Sequence, residues 1–518
     1  MSGHLTPRSV GQYGQALPIG IAALMGITLL ILILFNTGQV VSEKMRLDNT
    51  ADAAVYSGLV WQARTQNYMA YTNRAMVANQ VAIAQLVTMV SWSRYLYTMS
   101  SNMATVLGWV PYLGAALNAL SRVAYGFQVA IDVVAKAGIA FIDDFCLTIL
   151  SNSQAIAFNA TAINTNFTVR AVVAANDPNY QVTFINGNAD IATNATDWPK
   201  VADSFSSNKR IERKANVIRA SRDPFTTTQR GTVYFNNGWW QLPAVPFLSY
   251  LVTWHVHREA DTQLISRGNV KASTDPSNLQ WEWKAKDTLS VWIRAEFIGS
   301  CSNGFFNYPC WKTSWYEVPP VGWGEAFTSS TGRELDITKR WFTGDKSNSI
   351  AEGLADRAAE NIHPGTPAYH GVRRYWDIRN ADLKGQNQDR RIPLSIEVRR
   401  DPASPVRTSS NIPAMGSASA YVAGSSRSGI GPGMFRADDN FAKEPFGSPE
   451  VSAVSRGEVF YQRPRGFGFN VRQDGRLEYS NLFNPYWDVH LVDPKGDRIK
   501  GWAIRQNAVV PTLLNSLM

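Results

Sequence analysis

The chain has 518 residues, 45% of them hydrophobic, with 50 Lys and Arg against 41 Asp and Glu and a formal net charge of +9. That length allows two or three domains with large buried cores. The basic excess is scattered in small clusters such as Lys209 to Lys214 and Arg390 to Arg400. It lacks the concentrated, aromatic-interleaved runs of nucleic-acid binders, so a solvated face is expected and no nucleic-acid partner.

No Asp, Glu, Lys or Arg lies between Arg8 and Glu43. Within that gap Leu17 to Phe35 is almost wholly hydrocarbon. About 20 such residues span roughly 30 Å as a helix, the thickness of a bilayer core. Leu17, Leu24, Leu29, Ile31, Leu34 and Phe35 are the side chains expected to meet lipid. A cleaved secretory signal is the alternative, but its apolar region runs only about 7–15 residues behind a basic front. Here Arg8 alone precedes the run among Lys and Arg, and Phe35-Asn36-Thr37-Gly38 is a poor small-x-small cleavage site. The expectation is a retained anchor.

After the anchor, Leu47, Ala51, Ala54, Val55 and Gly58 fall at i, i+4, i+7, i+8 and i+11, one narrow stripe on a helix. Ala51, Ala54 and Gly58 are small, so a second helix can approach closely there. The spacing fits equally a solvated stem that only separates the anchor from a body.

Here the sequence resembles a family. Gly14-Gln15-Ala16, the apolar helix, Arg46-Leu47, Asn49 and Ala51-Asp52-Ala53-Ala54 are similar to the N-terminal region of TadE/TadG-like Flp (Tad) pilus-assembly proteins of bacteria. Asp48 and Thr50 depart mildly from that pattern. Tyr71 to Asn79 and, far downstream, Leu482 to Trp487 resemble large members of the same group. The resemblance implies a cytoplasmic N-terminus, a periplasmic body, and a role in building or anchoring the pilus. Prepilins of that system carry a glutamate five residues after the cleavage glycine, and Ile19 holds that position after Gly14. Processing by a prepilin peptidase is therefore not expected.

Residues 60 to 175 read as helix. Met76, Val77, Gln80, Val81, Ile83, Ala84, Leu86, Val87 and Val90 give a broad apolar face, and Gly108, Pro111 and Gly114 mark a turn between two helices. Tyr95 to Ser121 also lacks charge, which admits a second membrane crossing, but Asn102, Thr105, Pro111 and Asn118 dilute it. A helical bundle close to the membrane is the preferred reading. Lys44 and Arg46 oppose Arg8 across the first span, so charge alone leaves the orientation open.

Beyond about Val173 tryptophan, tyrosine and turn residues increase and the helical period fades. Thr232 to Trp240 reads as a hairpin about Asn236-Asn237-Gly238, and Leu289 to Ile293, Ile392 to Val398, Gly457 to Tyr461 and Trp487 to Val492 read as strands. Ile350 to Asn361 reads as a helix, capped by a turn in Asp345-Lys346-Ser347-Asn348-Ser349. Ala403 to Met434, rich in Ser, Gly, Pro and Ala, reads as a flexible loop.

The implied compartment is oxidising, and Cys301 and Cys310 enclose a short loop that would pair there, with Cys146 a buried free thiol. His255 and His257 share a strand face, but with no third ligand evident they are expected in surface hydrogen bonds, and no metal site is assigned. Asp143 and Asp144 are neighbours on a helix, about 100° apart, and are not expected to act on one atom together. There is no Gly-rich phosphate loop with its lysine. No catalytic residue, cofactor or small-molecule substrate is assigned.

The resulting expectation is an α+β protein with a single N-terminal transmembrane helix continuing into a helical stem or bundle, followed by a β-rich mixed periplasmic domain. Its parts are a cytoplasmic tail (1–16), the span (17–36), the stem and bundle (37–175), the β-rich domain (176–402), a loop (403–434) and the rest of the β-rich domain (435–518). The expected role is a non-enzymatic component of the pilus apparatus in the inner membrane. Its expected partners are other Tad pilus-assembly proteins and pilins, met through the Ala51/Ala54/Gly58 stripe. The competing class is a periplasmic binding or adhesion module built on the aromatic-rich stretch Trp239 to Trp323. Exposed tryptophans would favour it, and buried ones would make them core.

Overall fold

The computed structural model describes residues 16–185, 201–205, 208–231, 233–236, 252–268, 279–302, 304–318, 320–335, 341–342, 347–363, 369–379, 391–400, 452–463, 478–494 and 496–497. One helix organises all of them. α1 runs from Ala16 to Leu107, 92 residues without a break, or about 140 Å at 1.5 Å per residue. Between Gly58 and Gly108 it contains no glycine or proline, so nothing in its covalent chemistry interrupts the hydrogen-bond ladder. It ends where Gly108 and Pro111 follow, through a turn in which Tyr112 takes φ 68°. Gly114 is required at that turn, because a Cβ there would lie 2.2 Å from the Gly108 carbonyl oxygen.

The chain then returns along α1. α2 (Leu113–Ala140) passes through a π-helical stretch, Phe141–Leu147, directly into α3 (Thr148–Asn176). Gly138 faces Leu86, the Thr161 and Thr65 hydroxyls lie 2.5 Å apart, and Val169 faces Gly58, so the returning helix is antiparallel over this length.

Two sheets are stacked along the spine. Nearer the anchor, β1 (Tyr180–Phe184), β9 (Ile392–Arg400), β10 (Ser452–Tyr461) and β11 (Trp487–Val492) form an antiparallel sheet in the order β1-β9-β10-β11. Ile392, Leu394, Ile396 and Val398 alternate onto one face of β9 and meet Leu47 to Leu59 of α1 and Phe158 and Val169 of α3 in a shared core. Further along, β3 (Val233–Asn236), β4 (Val252–Arg267), β5 (Gln280–Ser302), β6 (Asn307–Glu317) and β7 (Gly322–Ser329) form a second sheet around the 23-residue β5. Its Trp281, Trp283, Ala285 and Ala326 pack on Met76, Ile83, Val87 and Val90 of α1. β2 (Ala202–Phe205) pairs with β8 (Tyr375–Ile378). Two short helices, α4 (Asn208–Ala220) and α5 (Ser349–Arg357), complete the described elements.

The fold is thus mixed helix and sheet, with a long apolar N-terminal helix and a β-rich remainder. α1 and α3 line the core of the first sheet, and α1, α2 and the π-helical stretch line that of the second, so helices and sheets share their cores. The strand expected at Leu289 to Ile293 is a fragment of the much longer β5. The distal arm of the expected Asn-Gly hairpin and the loop at 403–434 lie outside the described residues.

Candidate functional site

Along α1 the surroundings change abruptly. Leu17, Leu24, Leu29, Ile31 and Leu34 are 58–74% exposed, and the side chain of Phe35 lies outside the described residues. From Glu43 onward the helix is gripped: Tyr180 donates to the Glu43 carboxylate at 2.9 Å, and Lys44 bonds Asp48 and the Ser452 carbonyl. By length and composition α1 can cross a membrane. Its later apolar stretch is half covered by the rest of the chain, whereas Leu17–Ile31 is bare.

The stripe at Leu47, Ala51, Ala54, Val55 and Gly58 is a close-packing surface, but its occupant is this chain. The first four residues are fully buried in the core shared with β9 and α3. A Cβ on Gly58 would lie 2.6 Å from Val169 Cγ2, 3.3 Å from Leu394 and 3.4 Å from Thr165. The assignment of this stripe to a partner helix is therefore corrected. The small residues let α3 and the sheet approach the spine, and no face remains there for a second protein.

Two distant sequence features meet on the spine. Asn73 Nδ2 donates to the Leu482 carbonyl at 2.6 Å and to the Trp376 carbonyl at 2.8 Å, while Gln154 donates to its Oδ1. Asn67 brackets Trp487, donating to its carbonyl at 2.9 Å and accepting from its N–H at 3.0 Å. Higher up, Gln80 donates to the Gly371 carbonyl, Ser91 to Asp287 and to the Gly324 carbonyl, and Asn102 to the Val321 carbonyl. These side chains on the apolar helix thus satisfy loop and strand backbone groups that would otherwise be orphaned. Tyr95 to Asn102, in the uncharged run, is engaged in the same way with β7.

Strand alternation on β5 sorts charges that the sequence reading did not single out. Trp283 and Asp287 face α1, where Asp287 accepts two bonds from Arg230, at 2.9 and 3.1 Å, and one from Ser91 at 2.6 Å. Lys284 and Lys286 face the other way, both 1% exposed, toward Glu325, Glu334, Glu352 and Asp356. Burial pushes Glu325 above the usual carboxylate range, while Lys286 and Lys284 pull it back. These pairs lock α5 and the segment after β7 onto the sheet. The legible signal was period-two charge on a Trp-rich strand, Glu282-Trp283-Lys284-Ala285-Lys286. Nearby, burial raises Glu259 to about 7. Lys214 of α4 is fully buried over the Tyr375 ring and bonded to the Arg373 carbonyl, and burial lowers it to about 7.

Three further expectations change. His255 is buried, not superficial: its ring lies parallel to Trp292 and edge-on to Trp315 at 4.5 Å. The start of α5 is capped from another element, since Glu317 accepts from the Ile350 and Ala351 N–H groups and Asn348 makes no side-chain cap bond. Asp143 and Asp144 do converge. In the π-helical stretch Asp143 Oδ2 and Asp144 Oδ1 lie 3.0 and 3.3 Å from one atom, His370 Nδ1, because the wider π turn rotates consecutive residues less. His363 lies 3.8 Å from the same Asp143 oxygen, so Asp143, Asp144 and His363 form a nitrogen–oxygen set compact enough to hold a metal ion. Arg373 and the His370 backbone N–H also face Asp143, which accounts for its burial as an ion-paired latch. A cavity of about 590 Å³ beside it is lined by Asn152, Trp281, Tyr369, His370 and Arg373.

Cys301 and Cys310 are joined, with Cα atoms 5.7 Å apart, near the tip of the β5–β6 hairpin where Phe305 and Phe306 are exposed. Cys146 is a free, half-buried thiol. Among the tryptophans from 239 to 323 whose side chains are described, Trp281, Trp283 and Trp292 are buried core residues and Trp315 and Trp323 are half-buried.

The bare apolar segment and the gripped segment that follows it coincide with a family match. Residues 14–66 match the Tad family of TadE/G-like Flp pilus-assembly proteins. No curated protein and no solved structure matches the chain significantly. The Tad segment thus comprises the exposed start of α1 and the part buried against β9 and α3, and it supports a role in Flp pilus assembly. It also agrees with the resemblance carried by Gly14 to Ala16 and Arg46 to Ala54.

Proposed function

We propose that this protein is a membrane-anchored, non-enzymatic component of the Flp pilus-assembly apparatus. In this reading Leu17 to Phe35 crosses the inner membrane once, and the body stands in the periplasm on the rigid continuation of the same helix. The observation that carries it is the continuity of α1. One unbroken helix holds a bare apolar segment and, from Glu43, a segment buried in the body. No hinge separates them, so force or position at the membrane is transmitted directly to both sheets. Partners would be other Tad pilus-assembly proteins and pilins, met on surfaces other than the Ala51/Ala54/Gly58 stripe.

The test has two parts. A periplasm-active reporter fused after Met518 should be active, and a reporter active only in the cytoplasm should not. Replacing Leu24 and Leu29 by Lys puts two charges in the span at about 2.5–3.5 kcal/mol each. The double variant should leave the carbonate-resistant membrane fraction and lose pilus assembly. Full membrane retention of that variant, or cytoplasmic reporter activity, would refute the single-span reading.

A further inference from the structure

α2 and α3 present an apolar line that the described residues leave about half exposed. Phe127, Val134 and Phe141 follow one another at seven-residue steps, and Ile149, Ile156 and Ile163 continue at the same step. The single eight-residue step, Phe141 to Ile149, spans the π-helical stretch, whose extra residue keeps the two halves in phase. All six are 41–70% exposed. A seven-residue apolar repeat on an α-helix is the period at which two helices wind around each other with a left-handed supercoil.

Charge is absent from the line. α2 carries only Arg122, Asp132 and Lys136. Asp132 turns inward to Arg94, Lys136 pairs with Glu360 at the surface, and Lys136, Arg122 and Asp144 lie off the line by helical rotation. About half of each side chain is bare, and with neighbouring exposed residues such as Leu120 and Phe145 the line presents on the order of 800–1,000 Å². The largest apolar patch of an ordinary monomer is about 300–600 Å². A stable complex buries roughly 800 Å² per partner.

We infer that this line is where two copies of the chain pair, side by side and in register. The inference rests on the anchored reading above. Copies held in one membrane by the same rigid spine stand parallel and at equal height, so Phe127 of one faces Phe127 of the other. A line without charge can meet its own image at no electrostatic cost, whereas it offers an unlike partner no charge to recognise. The length of the line, about 36 residues or 54 Å, lies along the spine and not across it, which suits a neighbour standing upright and not a lipid surface.

Single cysteines in the full-length protein test this, with Cys146→Ser in the background so that Cys301 and Cys310 remain joined. Phe127→Cys and Ile156→Cys should each give a covalent dimer of twice 57.4 kDa on oxidation in membranes. Tyr125→Cys, somewhat more exposed but about 200° round the helix from Phe127, should not. In detergent the parent should have at least dimeric mass by light scattering, and Val134→Glu with Ile156→Glu should reduce it to the monomer. A Phe127→Cys adduct to a protein of different mass, or a monomeric parent with no cross-link, overturns the pairing. Carbonate extraction of the same membranes is scored separately: release sinks the anchor, while retained protein without the Phe127 dimer sinks only the pairing.

Discussion

Gly58 decides whether the stripe after the anchor is structural. In an exposed helix, Gly58→Ala would stabilise by about 1 kcal/mol through helix propensity alone. Here the new Cβ lies 2.6 Å from Val169 Cγ2, well inside the ~3.5–4.0 Å of a good carbon contact, at a site where Val169 is itself fully buried. Overpacking of this kind costs roughly 1–3 kcal/mol, so Gly58→Ala should come out destabilised by about 0–2 kcal/mol. Gly58→Leu adds three more heavy atoms toward Leu394 and Thr165 and should prevent the sheet from seating. Val169→Ala removes the colliding methyl. Although it costs stability alone, the pair Gly58→Ala with Val169→Ala should be more stable than the sum of the singles by about 1–2 kcal/mol. Thermal unfolding and trypsin resistance of detergent-extracted protein measure both effects. A Gly58→Leu protein with unchanged melting and proteolysis would refute this reasoning, and selective loss of a partner contact in such a protein would return the stripe to an intermolecular role.

Other expectations follow from the same geometry. Lys214 binds fewer protons folded than unfolded between about pH 7 and its ordinary value near 10.5, so its contribution to stability improves as pH rises through that window. Lys214→Met should therefore be the more stable protein at pH 6–7, by roughly 1–4 kcal/mol, with the advantage shrinking toward pH 10 in urea titrations; a pH-independent difference would contradict the assigned cause. Glu259 has the opposite sign, since its raised value of about 7 makes the folded state bind the extra proton, and its contribution falls from about pH 4.5 to 7. Glu259→Gln should flatten that part of the pH–stability curve. Glu317→Ala strips the acceptor from the Ile350 and Ala351 N–H groups and should cost about 1–2 kcal/mol, read as faster hydrogen exchange at those two amides with little change in α1.

Local chemistry made several features legible in the chain alone. An uncharged run of hydrocarbon side chains declares itself without neighbours, because lipid-compatible length and composition are properties of the segment. The turn at Gly108 and Pro111, the alternation Ile392, Leu394, Ile396 and Val398, and the pairing of Cys301 with Cys310 likewise depend on short-range pattern. Small residues at Ala51, Ala54 and Gly58 leave room for a close neighbour, which is likewise a property of the segment.

What approaches that surface was decided only by tertiary structure. Spacing of Ala51, Ala54 and Gly58 specifies room for a neighbour, but the neighbour is α3 and β9, more than 100 residues away in sequence. The same holds for Asn73 and Leu482, joined across 409 positions, and for Glu317, which caps a helix 33 residues downstream. α-Helical geometry would hold Asp143 and Asp144 about 100° apart, and the local π turn narrows that angle. In each case the sequence determined what a residue can bind, and the return of the chain along α1 determined what it does bind. Burial is a property of both surfaces, and a single chain segment carries only one of them.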